Sequence, residues 1–314
     1  MQPIGQRIMG FEVLSPGPLT LVQDAGRVGW QHLGISPSGP ADMHAAAWAN
    51  QLLGNPWGAP LLEIALGGLQ LRAQLDTWVA LCGAEVPIQL DGIAQANWSR
   101  FAVRAGQVLR VGFARSGQRA YLAVVGGLQL ATHLGSVACQ VREGLGGLNG
   151  SGQALRAGDW LPCHSAHLPR VASVAPRYQP DYRRPLLARV ILGGDAEAFS
   201  AEARQQFFAQ DWQLSPQSDR MGARLLGEPL SPPRRQWSLG VSNGAIQVPP
   251  DGLPIILMAD RQTMGGYPLL GWLHPRDLWR LAQCAAHQLL RFQPVALTQA
   301  QSELRQFYQF FRGS

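Results

Sequence analysis

The sequence predicts a mainly β protein with a few short helices, on three observations. Apolar runs of strand length recur along the chain, as in DTWVALCGA at 76–84 and ARVILGGD at 188–195. They are punctuated by 36 Gly and 23 Pro, and only 15% of residues are charged. Turn signals across 61–125 return about every ten residues, the spacing of a sandwich or barrel. A chain of 314 residues makes one large or two medium domains and can bury a sizeable core.

Taken in order, residues 10–22 read as two short strands split by Pro16-Gly17-Pro18. Residues 23–34 crowd Gln23, Asp24, Arg27, Gln31 and His32 among glycines 26, 29 and 34, which would bare backbone N–H groups to a ligand. A helix follows over 40–53, with Ser38 or Gly39 as cap, Pro40 in its first turn and Gly54 after its end. Ser38, inside Pro-Ser-Gly-Pro, reads as a turn residue, and His44 and Trp48, one turn apart, read as packing. Successive strands fill 61–125, with turns at Asp91-Gly92, Gly106 and Ser116-Gly117. The glycine-rich run at 144–155 has no Lys and no strand-to-helix setting, so it reads as a surface loop or lid rather than a phosphate loop.

The Pro- and Arg-rich stretch at 169–186 is the linker candidate, dividing the chain into 1–170, a linker at 171–187, and 188–314. Beyond it come a strand at 188–195, a helix over 196–208 with Asp195 as N-cap, and a helix over 275–286. A strand at 289–297 precedes a last helix from Thr298, whose Thr298-x-x-Gln301 fits a capping box. Gly-Gly-Leu-Gln-Leu occurs at 67–71 and again at 126–130, either by chance or as a repeated strand element.

All 26 basic residues are Arg; there is no Lys. That excludes a lysine Schiff base, a P-loop lysine, and biotin attached to this chain. The net charge of +6 is spread, with ten Arg against nine acids in 1–160 and sixteen against eleven in 161–314. No basic run interleaves with aromatics, which argues against nucleic acid. Four scattered cysteines, no apolar signal core and no run approaching 18 apolar residues predict a cytoplasmic protein with no membrane span.

The stretch 243–273 alternates short apolar runs with polar clusters, ill suited to a core and suited either to a small-ligand site or to a polar loop at a barrel end. Asp24, Asp219 and Asp260 are the candidate catalytic acids. Arg27, Gln31, Arg220, Arg224, Gln247, Gln262, Thr263, Gly265, Gly266 and Tyr267 are the candidate substrate-binding residues. The spacing predicts that 24–31, 218–224 and 260–267 converge, with Arg220 clamping a carboxylate or phosphate through its planar fork. A structural ion pair between Asp219 and Arg220 is the plain alternative. No Gly-x-Ser-x-Gly elbow is present, and Cys163-His164-x-x-His167 lacks a second cluster, so no metal site is assigned.

Four segments carry a family resemblance: VLSPGPLTLVQDAGRVGWQHLGISPSGPAD, SDRMGARLLG, GAIQVPPDGLPIIL and ADRQTMGGYP. In the same order they resemble the allophanate hydrolase subunit 2-like family, also called the biotin-dependent carboxyltransferase family. It includes KipA proteins, the C component of 5-oxoprolinase and part of the carboxyltransferase region of urea carboxylase. The resemblance spans residues 10–295 and departs at 231–242 and 139–142. It implies two cyclophilin-like β-barrel domains and a partner of the allophanate hydrolase subunit 1 type (the B component of 5-oxoprolinase), with a lactam-utilisation A component as a further candidate. It also implies ATP-dependent opening of 5-oxo-L-proline to L-glutamate in that complex, with ATP and Mg²⁺ bound largely by the partner. Two alternatives remain open: a carboxyltransferase component acting on a urea-like amide, with biotin arriving on another chain, and a KipA-type antagonist of a kinase inhibitor.

Overall fold

The computed structural model describes residues 9–312. The chain divides into two compact units: residues up to Gly26 with Ala45–Pro180, and Arg27–His44 with Asp181 onward. The strands of the first unit's two sheets all pair antiparallel. Its strands are β1 (Gly10–Pro16), β2 (Leu19–Gln23), β3 (Leu61–Ala65), β4 (Leu69–Ala73), β5 (Thr77–Glu85) and β6 (Ile88–Leu90). β7 (Ile93–Gln95), β8 (Ser99–Val103), β9 (Val108–Val111), β10 (Ser116–Val124), β11 (Trp160–Pro162) and β12 (Ala172–Ser173) complete it. They form two six-stranded sheets, ordered β11-β1-β4-β9-β6-β7 and β12-β8-β5-β10-β3-β2. Phe11, Leu71 and Leu109 from one sheet share a core with Leu62, Leu81 and Leu122 from the other. Asp91 and Gly92, at φ 48° and 84°, make the tight turn between β6 and β7, the left-handed pair that a two-residue hairpin demands.

The second unit contains a closed seven-stranded barrel. Its strands are β13 (Leu186–Leu192), β14 (Trp212–Leu214), β15 (Gly222–Leu226), β17 (Ala245–Gln247), β18 (Ile255–Leu257), β20 (Leu269–Leu273) and β21 (Leu289–Pro294), ordered β13-β20-β17-β18-β15-β14-β21. β13 and β21 pair in parallel and every other neighbour is antiparallel. Trp212, Phe207, Ile246, Ile256 and Leu290 fill the core. Alternation along β17 sends Ile246 inward and leaves Ala245 and Gln247 on the other face of the wall. There a two-stranded ribbon, β16 (Leu239–Gly240) with β19 (Met264–Gly265), runs beside a small apolar layer of Val241, Ala245, Leu257 and Leu269.

The mainly β expectation with short helices holds, and the helices are α1 (Met43–Leu53), α2 (Ala201–Ala209), α3 (Pro275–Leu281) and α4 (Leu297–Arg312). Several details differ from the sequence reading. Residues 196–198 form a 3-10 turn, and α2 is capped by Ser200, whose hydroxyl accepts from the Ala203 N–H. Asp195 caps nothing with its side chain; its carboxylate takes the Leu269 N–H and the Arg235 guanidinium instead. α4 starts at Leu297, so Thr298 lies inside its first turn. Residues 27–44, placed by the sequence reading in the N-terminal domain, group with the second unit. Ala41 joins the barrel core, and the Asp42 carboxylate accepts from the Tyr182 hydroxyl and the Gln283 amide. Residues 171–187, read as a linker, carry β12 and a 3-10 turn at Pro176–Tyr178. Among the described residues no helix is long and apolar enough to cross a membrane.

Candidate functional site

The polar centre of the second unit is built on the segment between β18 and β19. The backbone there is fixed first. Asp260 N–H donates to the Arg220 carbonyl at 2.7 Å, Met258 N–H donates to the Met221 carbonyl, and the buried Ser36 hydroxyl donates to the Ala259 carbonyl. The side chains then lock. Arg220 grips Asp260 with two hydrogen bonds, Nε to Oδ2 at 2.7 Å and Nη2 to Oδ1 at 2.8 Å. Nη2 also reaches the Gly39 carbonyl at 2.8 Å, and the Ser38 hydroxyl donates to Asp260 Oδ1 at 2.6 Å. Arg220 and Asp260 are 8% and 6% exposed, so this is a buried, bidentate, hydrogen-bonded ion pair. Ser38 and Gly39 reach it by a turn with φ at 57° and 95°. A serine in the left-handed region is uncommon, and here the conformation delivers its hydroxyl to the carboxylate.

The next residue is in a different state. Arg261 is 5% exposed, and its Nε donates to the Val241 carbonyl at 3.3 Å. Among the described residues no carboxylate pairs with it and its Nη atoms make no hydrogen bond. Burial pushes its pKa down, yet a guanidinium stays charged at any working pH. Gln247, on β17, is 2% exposed and its Nε2 has no hydrogen-bond partner among the described residues. Gly265 is what makes room: a methyl on its Cα would lie 2.3 Å from Gln247 Nε2 and 3.1 Å from Val241 Cγ1. Val241 ties the group together, since its N–H donates to the Thr263 carbonyl and its own carbonyl accepts from Arg261. A guanidinium with no acid partner among the described residues is a group that can receive an oxyanion, and an unbonded amide donor is one that can receive a carbonyl oxygen.

The remaining sequence candidates have other local settings. Asp24 lies in the first unit, where its carboxylate takes the Gly26 and Val137 N–H groups and the Ser136 hydroxyl, fastening a loop. Arg27 is buried in the second unit, and Gln31 is exposed in a 3-10 turn, its Oε1 accepting from the Gly29 N–H. Asp219 does not pair with Arg220; it is exposed and accepts from the N–H groups of Met221 and Gly222. Arg224 is exposed on β15. Gln262 and Thr263 are half-buried, and Gly266 and Tyr267 are exposed beyond the ribbon. The fold thus brings together Arg220, Asp260, Gln247 and Gly265 and adds Ser38, Gly39 and Arg261, which the sequence reading left out. Arg261 had a visible signal, a basic residue directly after Asp260 at the end of a buried strand. The missing counter-charge is a tertiary property and had none.

Comparison with known proteins places the chain. Residues 33–294 match the family model described as carboxyltransferase domain, subdomain A and B. The 5-oxoprolinase C subunit of Escherichia coli is 37% identical over 92% of this chain and 93% of its own length, and that of Haemophilus influenzae is 35% identical over the same shares. The urea amidolyase of Lachancea kluyveri is 30% identical, but this chain spans 17% of it. The crystal structure of the K. lactis urea amidolyase superposes with a TM-score of 0.87 at 29% identity, covering 98% of this chain and 20% of that one. The chain belongs to the carboxyltransferase-domain family, subdomains A and B.

Proposed function

We propose that this chain is the C component of an ATP-dependent 5-oxoprolinase, which opens 5-oxo-L-proline to L-glutamate together with an allophanate hydrolase subunit 1-like partner. One observation carries the reading: similarity to two proteins named as the C subunit of 5-oxoprolinase runs over 93% of their length, whereas the urea amidolyase match is to a small part of a much longer protein. The chemistry at Arg261 and Gln247 supports it, because 5-oxo-L-proline offers a carboxylate and an amide carbonyl, and a guanidinium and an amide N–H recognise those two groups.

Neither a metal-ligand cluster nor a phosphate loop stands out among the described residues. Among them no cluster of three or more His, Cys, Asp and Glu side chains is set to hold a metal ion. The glycine-rich segment closes on itself through bridges between Gln140 and Leu145 and between Gly146 and Ser151, rather than leading a strand into a helix. On this reading ATP and Mg²⁺ are held largely by the partner, and the role of this chain is to bind and orient the lactam. Co-expression with the subunit 1-like protein tests this. The complex is expected to co-elute and to form L-glutamate only with ATP; robust ATP-dependent turnover by the isolated chain would refute it.

The family description favours a second reading, a carboxyltransferase component acting on a urea-like amide. With no Lys in the chain, biotin would have to arrive on another protein. Avidin-sensitive carboxylation by a reconstituted complex, with no glutamate formed, would select it.

A further inference from the structure

We infer that Arg261 is the carboxylate-binding residue of this protein, with Gln247 as its amide partner, and that the buried Arg220–Asp260 pair is the brace that aims it. Other guanidiniums of the second unit keep carboxylate company, the exposed Arg184, Arg276 and Arg291 among them. Arg189 bonds Asp277 and Glu303, Arg220 bonds Asp260, and Arg235 bonds Asp195 at 2.6 Å. Arg261, 5% exposed, holds one neutral carbonyl at 3.3 Å and no acid among the described residues. A buried cation without a counter-ion is destabilising, so its presence asks for a compensating partner that the described residues do not supply. The same layer holds a second unbonded group, the Gln247 amide, 2% exposed and facing the bare Cα of Gly265.

The occupant is therefore a small planar oxyanion bearing a neighbouring carbonyl. The guanidinium fork takes the two carboxylate oxygens, and the amide N–H takes the carbonyl. Arg220 is excluded from that role by Asp260, which already occupies its fork. Asp260 is thus a positioning residue: its side chain is held by Arg220 and Ser38, and its N–H by the Arg220 carbonyl. Naming 5-oxo-L-proline as the occupant rests on the function proposed above; the oxyanion subsite rests on geometry alone.

The experiment is a calorimetric titration of the full chain, alone and with its co-expressed partner, using 5-oxo-L-proline, acetate and 2-pyrrolidinone, which lacks the carboxylate. The parent is expected to bind the two carboxylates and not 2-pyrrolidinone. Arg261→Met should weaken 5-oxo-L-proline roughly ten- to a hundredfold, Arg261→Lys less, and Gln247→Leu should weaken 5-oxo-L-proline but not acetate. Because the guanidinium is unpaired, Arg261→Met should melt no lower than the parent. Carboxylates that fail to bind, a variant that binds as the parent does, or an Arg261→Met protein that melts well below the parent would each overturn the inference. The two readings separate cleanly. Arg261-dependent acetate binding without glutamate formation by the complex leaves the subsite and removes the 5-oxoprolinase reading. Turnover with an unchanged KM in Arg261→Met leaves the enzyme and removes the subsite.

Discussion

Arg220 and Arg261 are both buried arginines at the same polar centre, and they behave as opposites because one has a carboxylate and the other does not. Removing one member of a buried pair strands the other charge, at a cost of about 3–5 kcal/mol. Arg220→Ala and Asp260→Asn are each expected to destabilise the fold on that scale, measured as a lower urea midpoint at constant slope. The double replacement Arg220→Met with Asp260→Leu should cost less than either single change, since no orphan charge remains. A double variant as unstable as both singles added together would show that the pair acts through something other than its charges. Ser38→Ala removes a 2.6 Å hydrogen bond to a carboxylate and should cost about 1.5–3 kcal/mol. Of this cluster, Arg220 and Asp260 were legible in sequence as candidate ligand residues, whereas Ser38 read as a turn residue and Arg261 did not stand out. Which arginine is neutralised was not legible, because Asp219, adjacent to Arg220 in the chain, turns away to cap two backbone N–H groups.

At the scale of elements, the β16–β19 ribbon depends on a missing side chain. Gly265→Ala puts a methyl 2.3 Å from Gln247 Nε2, so the ribbon or the glutamine must shift. Overpacking of this kind costs about 1–3 kcal/mol. The variant is expected to melt lower and to lose 5-oxo-L-proline binding, whereas Gly92→Ala, open on all sides, should keep binding intact. The corner between α3 and α4 carries a pH dependence. Burial pushes the Glu303 carboxyl up, but hydrogen bonds from Arg189 and Gln299 outweigh it and leave its pKa below the ordinary 4.5. Its contribution is complete above pH 4.5 and is lost as pH falls through the lower folded value. Burial, helped by the Arg189 charge, lowers His274 below 6.5, so the unfolded chain takes that proton first and stability also declines as pH drops below 6.5. His274 begins α3 by accepting the Arg276 N–H on Nδ1, a bond that protonation abolishes. His274→Asn, which keeps an acceptor without titrating, should flatten urea-unfolding stability between pH 7 and 5. Glu303→Gln should converge on the parent only below pH 4.5. An unchanged slope in both variants would exclude this corner as the acid-sensitive element.

For the molecule as a whole, the second unit is not a contiguous stretch. Its barrel core takes Ala41, its buried Asp42 receives Tyr182 and Gln283, and its ion pair takes Ser38 and Gly39. A fragment beginning at residue 181 therefore lacks the groups that satisfy Arg220, Asp260, Tyr182 and Gln283. It is expected to show no cooperative melt by near-ultraviolet circular dichroism, and a version with residues 27–44 fused on should recover one. A cooperative melt of the bare fragment would overturn this.

Strand content, the short helices and the hairpin at Asp91-Gly92 followed from the sequence, because periodicity and turn chemistry are local. The family followed too, from four motifs in a fixed order. Gly-Gly-Leu-Gln-Leu marks the boundary of that legibility. At 67–71 it enters β4, which finds β1 and β9 as neighbours, and at 126–130 it forms no strand. The same five residues differ because strand identity needs a partner, and partners are chosen by the tertiary fold. The excursion of residues 27–44 into the second unit, the pairing of Arg220 with Asp260 and the bare charge of Arg261 belong to that same class. Each joins or separates residues far apart in the chain, and burial sets its energy, so only the folded structure decides it.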